Sequence, residues 1–452
     1  MCGIVGHVGP AAVLSERSLE VLLDGLSRLE YRGYDSAGVA LLTDEGISVR
    51  KEAGKLENLR AQIAAHAVAP ASAGIGHTRW ATHGSPTTVN AHPHVAGHIA
   101  LVHNGIIENF RPLREEVESL GRTLLSETDS EVVAHLLDIA YSALREANPA
   151  GDPALQLREA MAQVTPRLEG TYALLAITAD APGTIVAARR SSPLVLGVGE
   201  GENFVGSDVA AFVAFTKQAV EVDDNQIVLI TAAGIEITDA AGQVVTEPHS
   251  WEVTWDASAA VKGGYDTFRA KEIHEQPKAV RDTMSPRITK DGKHVVMDEL
   301  RWDREFLDSF NKVYIVACGT AYHAGLVGKY YIEKLARIPV EVDVASEFRY
   351  RSPIIDKNTL MIVVSQSGET SDTLAALKEA KRLGAKSLAV TNVVGSSIAR
   401  EAAQVLYTWA GPEIAVASTK AYTTQLILMF MLAVYMADLK GTLAKERSEA
   451  LI

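Results

Sequence analysis

The chain has 452 residues, with 43 Lys or Arg against 56 Asp or Glu, a formal net charge of −13 at pH 7. At about 150 residues per domain there is room for about three domains or two large ones, and the acidic balance excludes nucleic acid as a default partner, because phosphate backbones call for clustered Lys and Arg. Two cysteines, Cys2 and Cys318, exclude a disulfide framework or a Cys-rich metal cluster and point to a reducing, cytoplasmic setting.

The opening MCGIVGHVGP lacks the basic start and apolar core of a signal peptide. Strand-like runs then alternate with turns: CGIVGHVG, AGVALLTDEGISVRK, GIGHTRWATHG, HIALVHNGII, TYALLAIT, GTIVAARR and QIVLITAAGIEITD. Paired runs around Asp/Gly turns predict hairpins and antiparallel sheet. Helical spacing is predicted over 16–29, 111–120, 129–145 and 154–168. Antiparallel strands with helices grouped between them imply an α+β layered sandwich over 2–245. From 246 to 292 the pattern dissolves into a polar linker with a Gly263-Gly264 pair, then a helical KEIHEQPKAVRDTM segment.

Beyond 293 the pattern becomes α/β. KVYIVACG, PVEVDVAS, TLMIVVSQSG and KSLAVTN are apolar on both faces and alternate with helical stretches, which predicts a doubly wound parallel sheet. The most apolar stretch, Leu426 to Ala437, is too short for the about 20 apolar residues of a membrane span and reads as a buried helix.

Cys2 directly follows the initiator Met, and its small size favours removal of that Met. The chain would then begin with a thiol and an α-amine on one residue, and the amine, with a pKa near about 8, can act as the thiol's base. Alone, Cys2 reads equally as a small buried hydrophobe. Arg79 suits bidentate capture of a carboxylate, or is a strand-end charge. Asp129 could pair with an ammonium group, or cap a helix. The Asn104 side-chain N–H and the Gly105 backbone N–H could receive an oxyanion, or form an ordinary Asn-Gly turn. Ser365-Gln366-Ser367-Gly368-Glu369-Thr370, at a strand-to-helix turn, offers hydroxyls and N–H groups to an anion, or a capping box. Ala317-Cys318-Gly319-Thr320 adds a second loop at the same sheet edge. Cys318 reads as a buried thiol. His92, His94 and His98 cluster without a carboxylate partner, so no metal site is expected there.

CGIVG at 2–6, EYRGYDSAG at 30–38, HTRWATHG at 77–84, HNGIIEN at 103–109 and ETDSEV at 127–132 run in the order found in class II glutamine amidotransferases. With AGPEIAVASTKAYTTQL at 410–426, the chain resembles the glutamine–fructose-6-phosphate aminotransferase (isomerizing) family. The resemblance implies an Ntn-type αββα glutaminase sandwich followed by a doubly wound SIS (sugar isomerase) domain. It makes Cys2 the nucleophile with its α-amine as base, and Asn104 and Gly105 the oxyanion hole. Arg79, Trp80, Thr82, His83 and Asp129 would bind glutamine, with Trp80 also gating a path for ammonia. Thr320, Ser365, Gln366, Ser367 and Thr370 would hold the sugar phosphate, Val416 and Ser418 the sugar, and Lys420 would be structural. No cofactor and no metal are implied. The expected partners are glutamine and fructose 6-phosphate, giving glucosamine 6-phosphate and glutamate in a cytoplasmic homodimer or higher homo-oligomer, without nucleic acid or membrane.

By the same resemblance, 2–245 is the glutaminase, 246–292 a linker and connecting helix, 293–440 the first SIS domain and 441–452 the start of a second. The family's isomerising acid/base residues and Schiff-base lysine belong to that second repeat and the tail after it. Two positions depart from the family: Ala321 where Ser is common, and Arg269 where Met is common. Two alternatives are a glutaminase acting alone and a sugar-phosphate-sensing SIS regulator. The charge of −13 and the lack of a helix-turn-helix pattern count against the regulator.

Overall fold

In a computed structural model the described residues are 2–30, 33–81, 84–253 and 264–452. They form two compact units, Met1–Ala260 and Val261–Ile452.

The first unit holds two antiparallel sheets. One has eight strands in the order β14 (Ser250–Glu252), β11 (Gln218–Glu221), β9 (Val195–Val198), β10 (Asn203–Gly206), β1 (Gly3–Val8), β4 (Ala71–Arg79), β2 (Ser36–Thr43), β3 (Gly46–Ala53). The other has six: β13 (Gly234–Thr238), β12 (Ile227–Thr231), β8 (Thr184–Arg190), β7 (Gly170–Thr178), β6 (Ile99–Ile107), β5 (His94–Ala96). Ile4, Val8, Ala40 and Ile75 from the first sheet meet Val102, Ala173, Leu175 and Ile185 from the second in one buried layer. The outer face of the first sheet is covered by helix Arg17–Leu29, through Val21, Leu22 and Leu26, with Leu56 and Leu59 of helix Leu56–Ala65. Helices Phe110–Ser119, Asp129–Ala147 and Pro153–Val164 cover the second through Val117, Val133, Leu137 and Leu157. The result is the expected αββα sandwich. The strand Ser250–Glu252 falls within the stretch read as linker. It pairs with Gln218–Glu221 as a three-residue edge strand, too short for alternation to register.

The second unit has five parallel strands in the order β16 (Val340–Val344), β15 (Lys312–Ala317), β17 (Thr359–Ser365), β18 (Lys386–Thr391), β19 (Gln404–Tyr407). Counted within the unit this is 2-1-3-4-5, whose switch point lies between the first and third strands. Helices Gly319–Leu335 and Lys420–Lys440 pack on one face through Ala321, Ile332, Leu428 and Leu432, and Ser371–Arg382 packs on the other through Leu374 and Leu377.

Lys420–Lys440, at 21 residues, is the one helix among the described residues long and apolar enough to cross a membrane. Its burial is that of a core helix: Leu428, Met429, Leu432 and Ala433 are sealed in the unit, and buried Lys420 is paired with Glu275 at 2.6 Å. The helix thus begins before Leu426, where Thr423 donates to Gln276 Oε1 at 2.7 Å and Thr424 to Ala421 O at 2.9 Å.

Candidate active site

Cys2 precedes β1, and β1 pairs with β4 so that Gly3 faces Thr78. This register sets the thiol against the end of β4, where the Trp80 backbone N–H donates to Cys2 Sγ at 3.2 Å. Burial pushes the Cys2 thiol pKa up, while the Trp80 N–H and the Arg79 charge pull the other way. An N–H aimed at sulfur favours the thiolate once the proton has left.

EYRGYDSAG is the clamp that fixes this strand end. Asp35 N donates to Arg79 O at 2.9 Å, and Asp35 Oδ2 accepts from Ala81 N at 2.8 Å. Gly33 lies so close that a Cβ there would sit 2.5 Å from the Arg79 carbonyl carbon. Tyr34 meets the Trp80 ring edge-on at 5.5 Å. Trp80 keeps 39% of its surface exposed, a large apolar group beside the thiol.

Asn104 and Gly105 belong to β6, opposite Ala173 and Tyr172, so HNG is strand and not a hairpin turn. Gly105 adopts φ +134°, and a Cβ on it would fall 2.0 Å from Thr171 O. Asn104 Nδ2 donates to Cys2 O at 2.9 Å, and its Oδ1 faces His77 Nε2 at 3.0 Å.

Thr128, not Asp129, is the N-cap of helix Asp129–Ala147 and accepts from Glu131 N. The Glu131 carboxylate accepts from Leu125 N and Ser126 N at 2.9 and 2.6 Å, tying the chain that precedes the helix to its first turn. Relieved of capping, Asp129 is buried in the first turn and accepts from Ile107 N at 2.8 Å. Buried Arg79 reaches the loop carbonyls of Ser85 and Gly84 at 3.2 and 3.1 Å. Burial lowers its pKa, opposed by the charges of Cys2 and Asp129. Cys2, Arg79, Trp80, Asn104, Gly105 and Asp129 are thereby brought to one end of the sandwich; Thr82 and His83 lie outside the described residues.

Of the three clustered histidines, His98 stands apart from the other two. His92 and His94 are buried and His92 stacks on His77 with centroids 4.1 Å apart, whereas His98 is exposed beside Asp180.

In the second unit the loops after β15 and β17 open at the switch point of the sheet. Ser365 Oγ accepts from Gly368 N and lies 3.0 Å from Thr370 Oγ1, and Ser367 Oγ accepts from Glu369 N at 3.1 Å. Gly368, at φ +66°, packs against Ser396. Glu369 pins the loop through Ser397 N and Oγ at 2.8 and 2.7 Å. Thr320 is exposed in the first turn of its helix, and Gln366 O accepts from Asn392 N at 3.1 Å. Cys318 is half-buried at the start of that helix, not sealed in the core, because the strand ends one residue before it. Ala321 is buried in the core and Arg269 is exposed.

Val416 and Ser418 sit on a loop held by two carboxylates. Glu413 accepts from Ser418 Oγ, Thr419 N and Ala421 N, and Glu272 accepts from Ile414 N and Ala415 N.

Residues 77–214 match a glutamine amidotransferase domain family and residues 306–435 match the SIS domain family. Glutamine–fructose-6-phosphate aminotransferase (isomerizing) of Clostridium tetani is 54% identical over 100% of this chain and 71% of its own length. Its counterpart in Streptomyces coelicolor is 54% identical over 98% of this chain and 69% of its own. The chain belongs to the glutamine–fructose-6-phosphate aminotransferase family. Two solved structures are also similar. The C-terminal domain of glucosamine-fructose-6-phosphate aminotransferase from Francisella tularensis has 39% identity and TM-score 0.40, covering 42% of this chain and 54% of that one. Glutamine phosphoribosylpyrophosphate amidotransferase from B. subtilis has 17% identity and TM-score 0.44, covering 86% and 81%.

Membership of the glutamine–fructose-6-phosphate aminotransferase family makes this an enzyme with glutaminase-type and SIS domains. Sequence reasoning missed the residues that set its geometry: Gly33, Asp35, His77, Glu272 and Glu413. Gly33, Asp35, His77 and Glu413 lie within the motifs EYRGYDSAG, HTRWATHG and AGPEIAVASTKAYTTQL, and Glu272 within the helical KEIHEQPKAVRDTM, but none of these strings showed the role of the single residue.

Proposed function

We propose that the enzyme releases ammonia from glutamine at Cys2 and delivers it toward fructose 6-phosphate bound by the SIS unit, giving glutamate and glucosamine 6-phosphate. The observation that carries this reading is the convergence on Cys2: a backbone donor on its sulfur, the Asn104 amide on its carbonyl, and buried Arg79 and Asp129 close enough to bias its charge. Arg79 takes the glutamine carboxylate and Asp129 the ammonium. After loss of Met1, the Cys2 α-amine removes the thiol proton and Sγ attacks the side-chain carbonyl carbon. The oxyanion is met by Asn104 Nδ2 and Gly105 N, ammonia leaves with the transferred proton, and water then hydrolyses the thioester.

We assign the glutaminase to 2–245, the linker and connecting helix to 246–292, the first SIS domain to 293–440 and the beginning of a second to 441–452. Thr320, Ser365, Gln366, Ser367 and Thr370 bind the phosphate, and Val416 and Ser418 the sugar. The enzyme is cytoplasmic and works as a homo-oligomer. Cys2→Ala is expected to abolish glutamate release while fructose 6-phosphate binding, followed by calorimetry, stays unchanged. Glutamine hydrolysis that persists in this variant overturns the assignment.

A further inference from the structure

His77 lies one strand position inside the candidate glutaminase site and touches none of the groups assigned to glutamine. Its Nε2 is 3.0 Å from two oxygens, the His103 backbone carbonyl and Asn104 Oδ1. A backbone carbonyl only accepts, so Nε2 must carry the hydrogen, and the Asn104 atom facing it must also be an acceptor. That settles the Asn104 amide. Its oxygen is turned to His77 and its NH2 to the Cys2 end, where one N–H is used on Cys2 O at 2.9 Å and the other is left for a ligand.

The ring itself cannot turn away. It is 1% exposed, and it stacks on His92 with an interplanar angle of 14°. Burial holds its pKa at about 3, so a neutral, singly protonated ring is present across the physiological range.

We infer that His77 is a positioning residue for the oxyanion hole, locking the Asn104 amide in the one orientation that points N–H groups at Cys2. The inference rests on the assignment of Asn104 to the oxyanion hole made above. In the opposite orientation the Asn104 oxygen would face the developing negative charge and repel it. The cost falls on the transition state and not on glutamine binding, because Arg79 and Asp129 are untouched.

The experiment is steady-state glutamine hydrolysis by the whole chain. His77→Phe keeps a flat ring on His92 but removes the donor; kcat is expected to fall about 100-fold with KM nearly unchanged, the loss typical of one disabled oxyanion donor. His77→Gln, whose amide N–H can reach Asn104 Oδ1, is expected to recover most of that loss. In an Asn104→Ala background His77→Phe should add almost nothing, since both act through one group. Near-normal kcat in His77→Phe, a rise in KM alone, or full additivity with Asn104→Ala would each overturn the inference. If His77→Phe does not fold, His77→Asn, too short to reach Asn104, replaces it, judged by the same kcat and KM criteria. A wild-type chain that releases no glutamate would overturn the parent assignment and this inference with it.

Discussion

The chemistry proposed for Cys2 depends on two positions where only one residue type fits. Gly105 must expose its N–H beside Asn104 within a strand, and it does so at φ +134°, with room for no Cβ. A side chain there would collide with Thr171 O at 2.0 Å and force the ladder apart. Gly105→Ala is therefore expected to lower glutamine turnover by more than about 100-fold. It should also lose about 1–3 kcal/mol of stability from the strained backbone, read by denaturant unfolding of the same sample. Turnover within a few-fold of wild type would mean that the Gly105 N–H is not needed. The second such position is Gly33, whose proximity to Arg79 and Trp80 brings Asp35 onto the strand end that supplies the sulfur's N–H donor. Gly33 is not itself among the residues assigned to glutamine, yet it decides where they stand.

At the scale of elements, the site is made from ends: the start of β1, the end of β4, a distorted stretch of β6 and the first turn of helix Asp129–Ala147. Thr128 caps that first turn by accepting from Glu131 N, which leaves the Asp129 carboxylate for the site. Thr128→Ala should cost about 1–2 kcal/mol in denaturant unfolding, with Thr128→Ser restoring most of it. A stability unchanged by the alanine would remove the cap from this account. Long motifs and strongly periodic helices made this end of the molecule legible in the sequence. The helices at 17–29 and 129–147 and the strands around Cys2, Arg79 and Asn104 fall where periodicity places them. The short strands Val195–Val198, Asn203–Gly206 and Gln218–Glu221 escaped notice because four residues hold too few alternations to distinguish strand from loop. Helix Leu56–Ala65 escaped because Lys55 offers no capping side chain and only Leu56 and Leu59 are buried. Likewise, HTRWATHG and KEIHEQPKAVRDTM do not show what His77 and Glu272 do, because their partners are 27 and 142 residues away in sequence.

Across the whole molecule, burial shifts a set of histidines in the first unit and the Glu272 carboxyl in the second, and their stabilities should part company in acid. In the first unit burial holds His7, His77, His92, His94 and His135 below the ordinary histidine pKa. An unfolded chain binds protons at these positions from about pH 6.5 downward, whereas the folded unit does not, so its stability falls as pH falls through that window. For His77, with a folded pKa of about 3, the loss at about pH 5 comes to about 2 kcal/mol. In the second unit burial pushes the Glu272 carboxyl up, against the pull of the Ile414 and Ala415 N–H groups. Its folded form takes up a proton before the unfolded one, so this group adds stability as pH falls toward its ordinary pKa and withdraws it as pH rises. Calorimetric unfolding moved from about pH 7.5 to about pH 5 should lower the first unit's transition by roughly 4–8 °C from His77 alone, and move the second unit's far less. Glutamine added to the Cys2→Ala variant marks the first transition, and fructose 6-phosphate marks the second, since each ligand raises only the transition of the unit that binds it. Equal shifts, or a larger fall in the transition raised by fructose 6-phosphate, would refute the assignment of this acid loss to the first unit's buried histidines.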